Sequence, residues 1–366
     1  MITTEAELKE LVDRAIKAPC VALDTEFFWE RTFYPILGVV QVGFSETDCH
    51  LIDAMALPTL PHFGKLLTQK NTAKILHDAL QDLSILSRIT NVTPCNIFDT
   101  RRAAGFSKME STLSLANLLM KIMNVEIPKT ETRSNWLKRP LTTSQIAYAL
   151  NDVRFLPELR EILIENAAEL GNQGYLAEEM QQFNEDEYYS EPQPEAVFKR
   201  IKSGRLRGKS KNALLELVRW REGVARTRNI PRGHVLHDSF LISLAEQMPT
   251  NLNAISNIQG LPRSTATHYS PKILEAIAKG LEAKEPLRSS PAERPSAEIK
   301  RQVVTRSAAI RNAATNAGID PLLVATKATV TELVIAEQAT NDLFADHTTP
   351  LTKIPNLQKG WRKKFI

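Results

Sequence analysis

Val21-Ala22-Leu23-Asp24-Thr25-Glu26-Phe27 is a short apolar run interrupted by three polar residues. A run of this length is too short for most helices and reads as a buried strand. Alternation along a strand places Asp24 and Glu26 on one face, with Leu23 and Thr25 pointing away. Similar runs follow at residues 36–44, at His50-Leu51-Ile52, at Lys74-Ile75-Leu76 and at Asn96-Ile97-Phe98. Helical patterns fall between and after them, near 60–67, from Asp78 through Asp82, Leu83 and Leu86, over 113–120 and over 144–170. Asp78 is suited to cap its helix, and Pro157 to open a separate helix in its first turn. Short strands alternating with helices predict an α/β layer with both faces of the sheet covered.

The chain of 366 residues is long enough for two or three hydrophobic cores, and 43% hydrophobic with 24% charged residues is ordinary globular composition. Met1-Ile2-Thr3-Thr4-Glu5 leads into mixed charged sequence, so no secretory signal is expected. No apolar run approaches the ~20 residues that span a bilayer, and no membrane association is expected. Cys20, Cys49 and Cys95 are odd in number and lack a Cys-x-x-Cys spacing, which argues for free thiols in a reducing cytoplasm and against a cysteine metal site.

Charge is unevenly placed. Residues 1–170 carry 18 Lys and Arg against 21 Asp and Glu, 171–198 carry none against 7, and 199–233 carry 12 against 2. A basic block of net +10 thus follows a short acidic stretch, a pattern that can set a positive surface beside an acidic face. Residues 181–198 combine glutamine, acids and two prolines without a sustained period and read as a linker, with Tyr188 and Tyr189 as a candidate docked aromatic patch. Beyond it the pattern is helical: residues 211–225, 238–247 and 272–279, then, after Glu285-Pro286, a second helical region over roughly 297–364. The expected organisation is an α/β domain at 1–170, an acidic linker and start of the basic segment at 171–204, and helical domains at 205–290 and 295–366.

The chemistry begins with the Asp24-Thr25-Glu26 pair. Asp82 lies in His77-Asp78-Ala79-Leu80-Gln81-Asp82, and Tyr148 and Asp152 stand four apart, on one face of a helix. If these segments converge, one face presents four carboxylates and a phenol. Close carboxylates resist simultaneous ionisation, and two hard divalent cations, Mg²⁺ or Mn²⁺, would compensate them with oxygen ligation. Such a pair of ions can activate water and stabilise the leaving oxygen in phosphodiester hydrolysis. Spacing alone is weak support, since 42 acidic residues form many such pairs by chance.

The motifs together resemble bacterial ribonuclease D, of the DEDD exonuclease superfamily and its tyrosine-containing subclass. Asp24 and Glu26 match the first motif, Asp82 the second, and Tyr148 with Asp152 the third. The segments Trp29-Glu30-Arg31-Thr32-Phe33-Tyr34-Pro35, Phe98-Asp99-Thr100, Glu131-Thr132-Arg133-Ser134-Asn135-Trp136 and Arg139-Pro140-Leu141 match as well, in the family's order. The resemblance implies an α/β ribonuclease H-like exonuclease domain. It also implies that Asp24 bridges two metal ions, Glu26 and Asp152 hold the nucleophile-side ion, Asp82 supports the second, and Tyr148 orients the attacking water with Glu26. Residues 205–285 resemble an HRDC domain through Arg205-Leu206-Arg207-Gly208-Lys209, Leu217-Val218-Arg219-Trp220-Arg221-Glu222 and Asn229-Ile230-Pro231-Arg232-Gly233. Residues 295–366 resemble a second, divergent one through Asp320-Pro321-Leu322-Leu323 and Gly360-Trp361-Arg362-Lys363.

The activity so implied is 3′-to-5′ exoribonuclease action on RNA with an accessible 3′ end, releasing nucleoside 5′-monophosphates, in tRNA precursor processing, by a monomer. A 3′-to-5′ DNA exonuclease and a non-catalytic nucleic-acid-binding protein are the alternatives. Around the motifs several residues have two readings. His77 either orders the turn or positions substrate, and Asp99 either caps the next helix or supports the site. Gln41 either binds the terminal nucleotide or satisfies nearby backbone, while Arg133, Trp136 and Arg139 either approach phosphates or pack locally. Trp220 is either core or a base-stacking platform, and arginines of the basic block would neutralise phosphates.

Overall fold

The computed structural model describes residues 1–128, 131, 134–204, 206–283, 295–341 and 360–366. By contacts the chain divides into two units, one of Met1–Phe28, Leu37–Tyr189 and Arg294–Ile366, the other of Trp29–Ile36 and Ser190–Glu293.

The first unit is built on five strands, β1 (Cys20–Phe28), β2 (Ile36–Gly43), β3 (Cys49–Asp53), β4 (Ala73–Leu76) and β5 (Ile97–Asp99). They lie in the order β3-β2-β1-β4-β5, with β1–β4 and β4–β5 parallel and β2–β3 antiparallel. All five expected runs are strands. The near-continuous burial of β2, β4 and β5 explains why they read as apolar runs rather than alternating ones. Helices α1 (Glu5–Ala15), α2 (Phe63–Leu67), α3 (Leu80–Thr90), α4 (Thr100–Ala104), α5 (Leu115–Met123), α6 (Thr143–Arg154), α7 (Leu156–Glu169) and α8 (Gln173–Met180) accompany this sheet. The reading of residues 144–170 resolves into two helices, because Phe155 ends one and Pro157 sits in the first turn of the next.

One cap differs from expectation. Asp78 is in the left-handed region, φ 64°, its carboxylate pairs with Arg101, and α3 is preceded by Ala79 without a side-chain cap. Asp99 supplies the missing acceptors. Its Oδ1 accepts from the N–H groups of Asp78, Arg101 and Arg102, and its Oδ2 from that of Ala79 at 3.0 Å. Asp99 therefore caps α4, as the sequence suggested, and also closes the turn entering α3.

Of the expected acidic linker, α8, a 3₁₀ turn (Gln181–Asn184), α9 (Asp186–Tyr189) and α10 (Pro194–Arg200) are helical. The tyrosine patch is docked: Tyr188 meets the Phe183 ring edge-on at 5.0 Å, and the Tyr189 hydroxyl donates to the Phe183 carbonyl at 2.6 Å.

The second unit contains α10, α11 (Lys209–Arg228), α12 (Arg232–Val235), α13 (Asp238–Gln247), α14 (Leu252–Ser256) and α15 (Arg263–Glu282). Its core gathers Leu214, Leu217 and Val218 of α11 with Leu241, Leu244, Ile273 and Ile277. α11 and α15 pack so closely that a Cβ on Gly280 would stand 2.5 Å from the Ala213 Cα, so only glycine fits there. α15 is longer than the expected 272–279 and runs through Pro271; a proline inside a helix removes one hydrogen bond, and packing on α11 offsets that loss. Trp220 meets Tyr269 edge-on at 5.3 Å beside the core, which favours its core reading. Arg205 lies outside the described residues.

The carboxy-terminal helices α16 (Ala297–Asn316), α17 (Pro321–Val324) and α18 (Lys327–Asn341) share the core of the first unit, to which they contribute Val303, Ile310, Val324 and Val334. Asp320 accepts from the backbone and hydroxyl of Ser111 at 2.6 and 2.7 Å. Trp361 is buried against Phe106 at 5.1 Å. Glu179 is the polar knot of this junction. Its carboxylate takes Arg102 at 2.7 Å, Arg362 at 2.8 Å and the Trp361 indole N–H at 3.1 Å. Burial pushes its pKa up, but Arg362 and Arg102 together hold it below the ordinary carboxylate range.

Removing one partner of such a buried network leaves the others uncompensated, which typically costs about 3–5 kcal/mol. Glu179→Ala is expected to destabilise the first unit by that order, and Glu179→Gln by less, measured as a lowered midpoint in urea unfolding. An unchanged midpoint for Glu179→Ala would reduce the network to decoration.

Candidate active site

Asp24 and Glu26 leave β1 at the centre of the sheet, Asp82 leaves the first turn of α3, and Tyr148 and Asp152 leave one face of α6. α6 is started by a capping box in which Thr142 and Gln145 satisfy each other's backbone N–H groups, and it packs against β1 and β3. The result is one open cavity of about 620 Å³ lined by all five residues. Three distant stretches of sequence thus converge, as the motifs required.

Ligand oxygens of Asp24, Glu26 and Asp152 all lie within 4.8 Å of one another. Each of these carboxylates is half-buried yet surrounded on most sides by protein. Their electrostatics follow. Asp24 is pushed well above the carboxylate range by burial and then by Asp82, Asp152 and Glu26. Burial, helped by Asp152 and Asp82, raises Glu26 to about 9. Burial and Asp82 raise Asp152 to about 7. Asp82 is raised to about 6, chiefly by burial, against the opposing effect of a hydrogen bond from Thr25. Among the described residues, no Lys, Arg or His lines this cavity apart from His77. Four carboxylates placed this way hold protons unless a cation compensates them, and an all-oxygen donor set suits hard divalent ions. The residues fit a metal-binding site.

That arrangement has a measurable consequence. The folded protein keeps protons on these carboxyls that the unfolded chain has already released, so without metal their contribution to stability falls as pH rises from the ordinary carboxylate range through about 6, 7 and 9. A divalent cation bound at the cluster removes that loss. Mg²⁺ or Mn²⁺ is therefore expected to raise the melting temperature by several degrees at about pH 8 and by much less at about pH 5, with each kcal/mol recovered worth about 2–4 °C. Scanning calorimetry with chelator and with metal at both pH values checks this. Equal shifts at the two would contradict it.

The neighbouring residues separate cleanly. His77 has both ring nitrogens engaged, Nδ1 with the Thr100 hydroxyl at 3.0 Å and Nε2 with the Leu113 carbonyl at 3.1 Å, and burial lowers its pKa, so it is a neutral structural histidine. Gln41 is fully buried on β2, which removes it from contact with a nucleotide, and its amide lies 3.5 Å from Asp24 Oδ2. Arg139 is committed to Asp53 through two contacts of 2.6 and 2.8 Å and to the Gly38 carbonyl at 2.8 Å, and Trp136 is buried beside Tyr148 with ring centroids 6.0 Å apart. Both are packing residues. Arg133 lies outside the described residues. Alternation alone assigned Thr25 to the face away from the site, yet its hydroxyl donates to Asp82. The missed signal was the hydroxyl itself, a hydrogen-bond donor in an otherwise apolar strand.

A family model for 3′-5′ exonucleases matches residues 1–167, and one for the HRDC domain matches residues 210–277. Ribonuclease D of Desulfotalea psychrophila is 38% identical over 371 residues, spanning 100% of this chain and 96% of that protein. The chain belongs to the ribonuclease D family. Ribonuclease D of Pseudomonas paraeruginosa is 35% identical over 71% of this chain and 69% of its own length. In structure, the chain superposes on Escherichia coli ribonuclease D with a TM-score of 0.84 at 24% identity, over 100% of this chain and 96% of that one, a likeness of fold. The α/β exonuclease core followed by HRDC-type helices is the architecture of ribonuclease D. With the carboxylate cluster at its centre, the chain is a 3′-to-5′ exoribonuclease. Among the described residues, no helix is long and apolar enough to cross a membrane.

Proposed function

We propose that this chain trims RNA one nucleotide at a time from an accessible 3′ end, releasing nucleoside 5′-monophosphates, and that precursors of tRNA and other structured RNAs are its substrates. The convergence of Asp24, Glu26, Asp82, Tyr148 and Asp152 on one cavity carries this reading. Escherichia coli ribonuclease D, which shares the fold, is an exoribonuclease involved in structured RNA processing.

Asp24, Glu26 and Asp152 would hold one divalent ion, with Asp24 shared by a second that Asp82 supports. Two ions of the Mg²⁺ or Mn²⁺ kind, when bound, supply Lewis acidity to the attacking and leaving oxygens. The chain's own residues do the rest. Their carboxylates bind and fix the ions, the strand and two helices keep the ligands in register, and the Tyr148 phenol orients the attacking water by a hydrogen bond. A phenol with an ordinary pKa near 10 is a poor base at neutral pH, so orientation is its contribution.

The HRDC unit would hold the RNA body through phosphates, with binding that weakens as salt rises. The basic block contributes less than its net charge suggests. Arg221 is buried and pairs with Asp238, Arg232 pairs with the buried Glu222 at 2.8 Å, and Arg226 pairs with Glu191 at 2.9 Å. Among the described residues of the block, exposed Lys199, Arg200, Lys202, Arg207, Lys209 and Arg228 are the cations offered to RNA. We read residues 295–366 as a second, divergent HRDC-like module, of which α16, α17 and α18 share the exonuclease core. The protein is taken to act as a monomer in the cytoplasm.

The competing reading is DNA exonuclease action, which the same carboxylates could perform. Matched single strands of RNA and DNA, labelled at the 5′ end and incubated with Mg²⁺, separate the two. Stepwise shortening of the RNA at least tenfold faster is expected; equal or faster loss of the DNA would overturn RNA as the substrate.

A further inference from the structure

Thr25 lies between the two metal-binding carboxylates of β1, is 4% exposed, and donates its hydroxyl proton to Oδ1 of Asp82, 57 residues away on α3. Asp82 is itself 8% exposed and is not among the three carboxylates whose oxygens cluster within 4.8 Å. Among the described residues no Lys, Arg or His forms an ion pair with it. A carboxylate facing three others of like charge tends to swing away from them, and among the described residues the one side-chain hydrogen bond drawn to Asp82 from another element comes from this threonine. Threonine suits the task, because its β-branch restricts χ1 and so fixes where the hydroxyl points. A hydroxyl has one proton, and here it is spent on the carboxylate.

We propose that Thr25 is a positioning residue of the active site, whose hydroxyl holds the Asp82 carboxylate where it serves a divalent cation. The inference rests on the reading of Asp82 as a metal ligand. Thr25 lines the cavity but offers an ion no carboxylate of its own. It acts through Asp82, tying the strand that carries the first two ligands to the helix that carries the third.

The test measures Mn²⁺ affinity by electron paramagnetic resonance in the full chain, with single-turnover RNA cleavage as a second readout. Four variants are compared with the wild type: Thr25→Val, Thr25→Ser, Asp82→Asn and the double variant Thr25→Val with Asp82→Asn. Valine keeps the shape and β-branch of threonine, and serine keeps the hydroxyl. Circular dichroism verifies folding in each. Thr25→Val is expected to weaken Mn²⁺ binding about fivefold or more and to slow cleavage about tenfold, whereas Thr25→Ser stays within about twofold of wild type. Thr25→Val should add little once Asp82 is asparagine, since Thr25 acts only through the carboxylate that Asp82→Asn removes. Wild-type affinity in Thr25→Val, while Asp82→Asn is weakened, would overturn the proposal alone. So would a serine variant as defective as the valine one, or an equal further loss in the double variant. Wild-type affinity in Asp82→Asn would instead overturn the ligand reading on which the proposal rests.

Discussion

Asp24→Asn, Glu26→Gln and Asp152→Asn are each expected to lower the single-turnover rate of RNA cleavage by about a thousandfold or more, equivalent to ~4 kcal/mol of transition-state stabilisation. The amides keep the size of the side chains but lose the charge that a hard cation requires. Because the three carboxylates crowd one another, with oxygens within 4.8 Å, replacing one by an amide also relieves repulsion in the metal-free protein. These variants should therefore be as stable as the wild type or more so without metal, particularly at alkaline pH. Loss of activity with retained or improved stability is a signature that misfolding does not produce. Near-wild-type cleavage in any two of the three would remove the cluster from the mechanism.

Tyr148→Phe is expected to slow cleavage by roughly ten- to a thousandfold if its hydroxyl orients the attacking water. The ring packs beside Trp136, and phenylalanine retains that contact, so the helix and its carboxylate should stay in place. Metal affinity should change far less than rate. Measuring the rate at saturating enzyme and metal ensures that neither product release nor a poorly filled site imitates the effect. A wild-type chemical rate would reduce Tyr148 to a packing residue, even with the three carboxylates confirmed.

The parts of the molecule that were legible in the sequence are those in which local pattern and tertiary role coincide. Strands β2, β4 and β5 are buried almost throughout and so appear as mainly apolar runs, and the spacing of Tyr148 and Asp152 survives as one turn of α6. The distance between Asp24 and Asp82 along the chain has no such local signature; the motif order of the family supplied it. What stayed illegible depends on partners far away in sequence. Asp78 looked like a cap, but Asp99 offered a better set of acceptors from the neighbouring strand β5. Arg221 and Arg232 counted as basic surface until Asp238 claimed the first and the buried Glu222 the second. The helices at 297–341 showed their helical period but not that their apolar faces complete the core of the first unit, because periodicity marks a buried stripe without naming what covers it. Thr25 belongs with these, since strand alternation predicts a face and not a hydrogen bond.

The account turns on whether the carboxylate cluster binds the catalytic cation. Titrating Mn²⁺ into the wild type and into Asp24→Asn, and following free ion by electron paramagnetic resonance near neutral pH, tests that most directly. Burial and three neighbouring carboxylates push the Asp24 carboxyl well above its ordinary range in the absence of a cation, and Asp24 stands in the three-carboxylate group, so its neutral variant is predicted to bind Mn²⁺ at least about tenfold more weakly. Identical binding curves for the two proteins would contradict a metal site at this cluster.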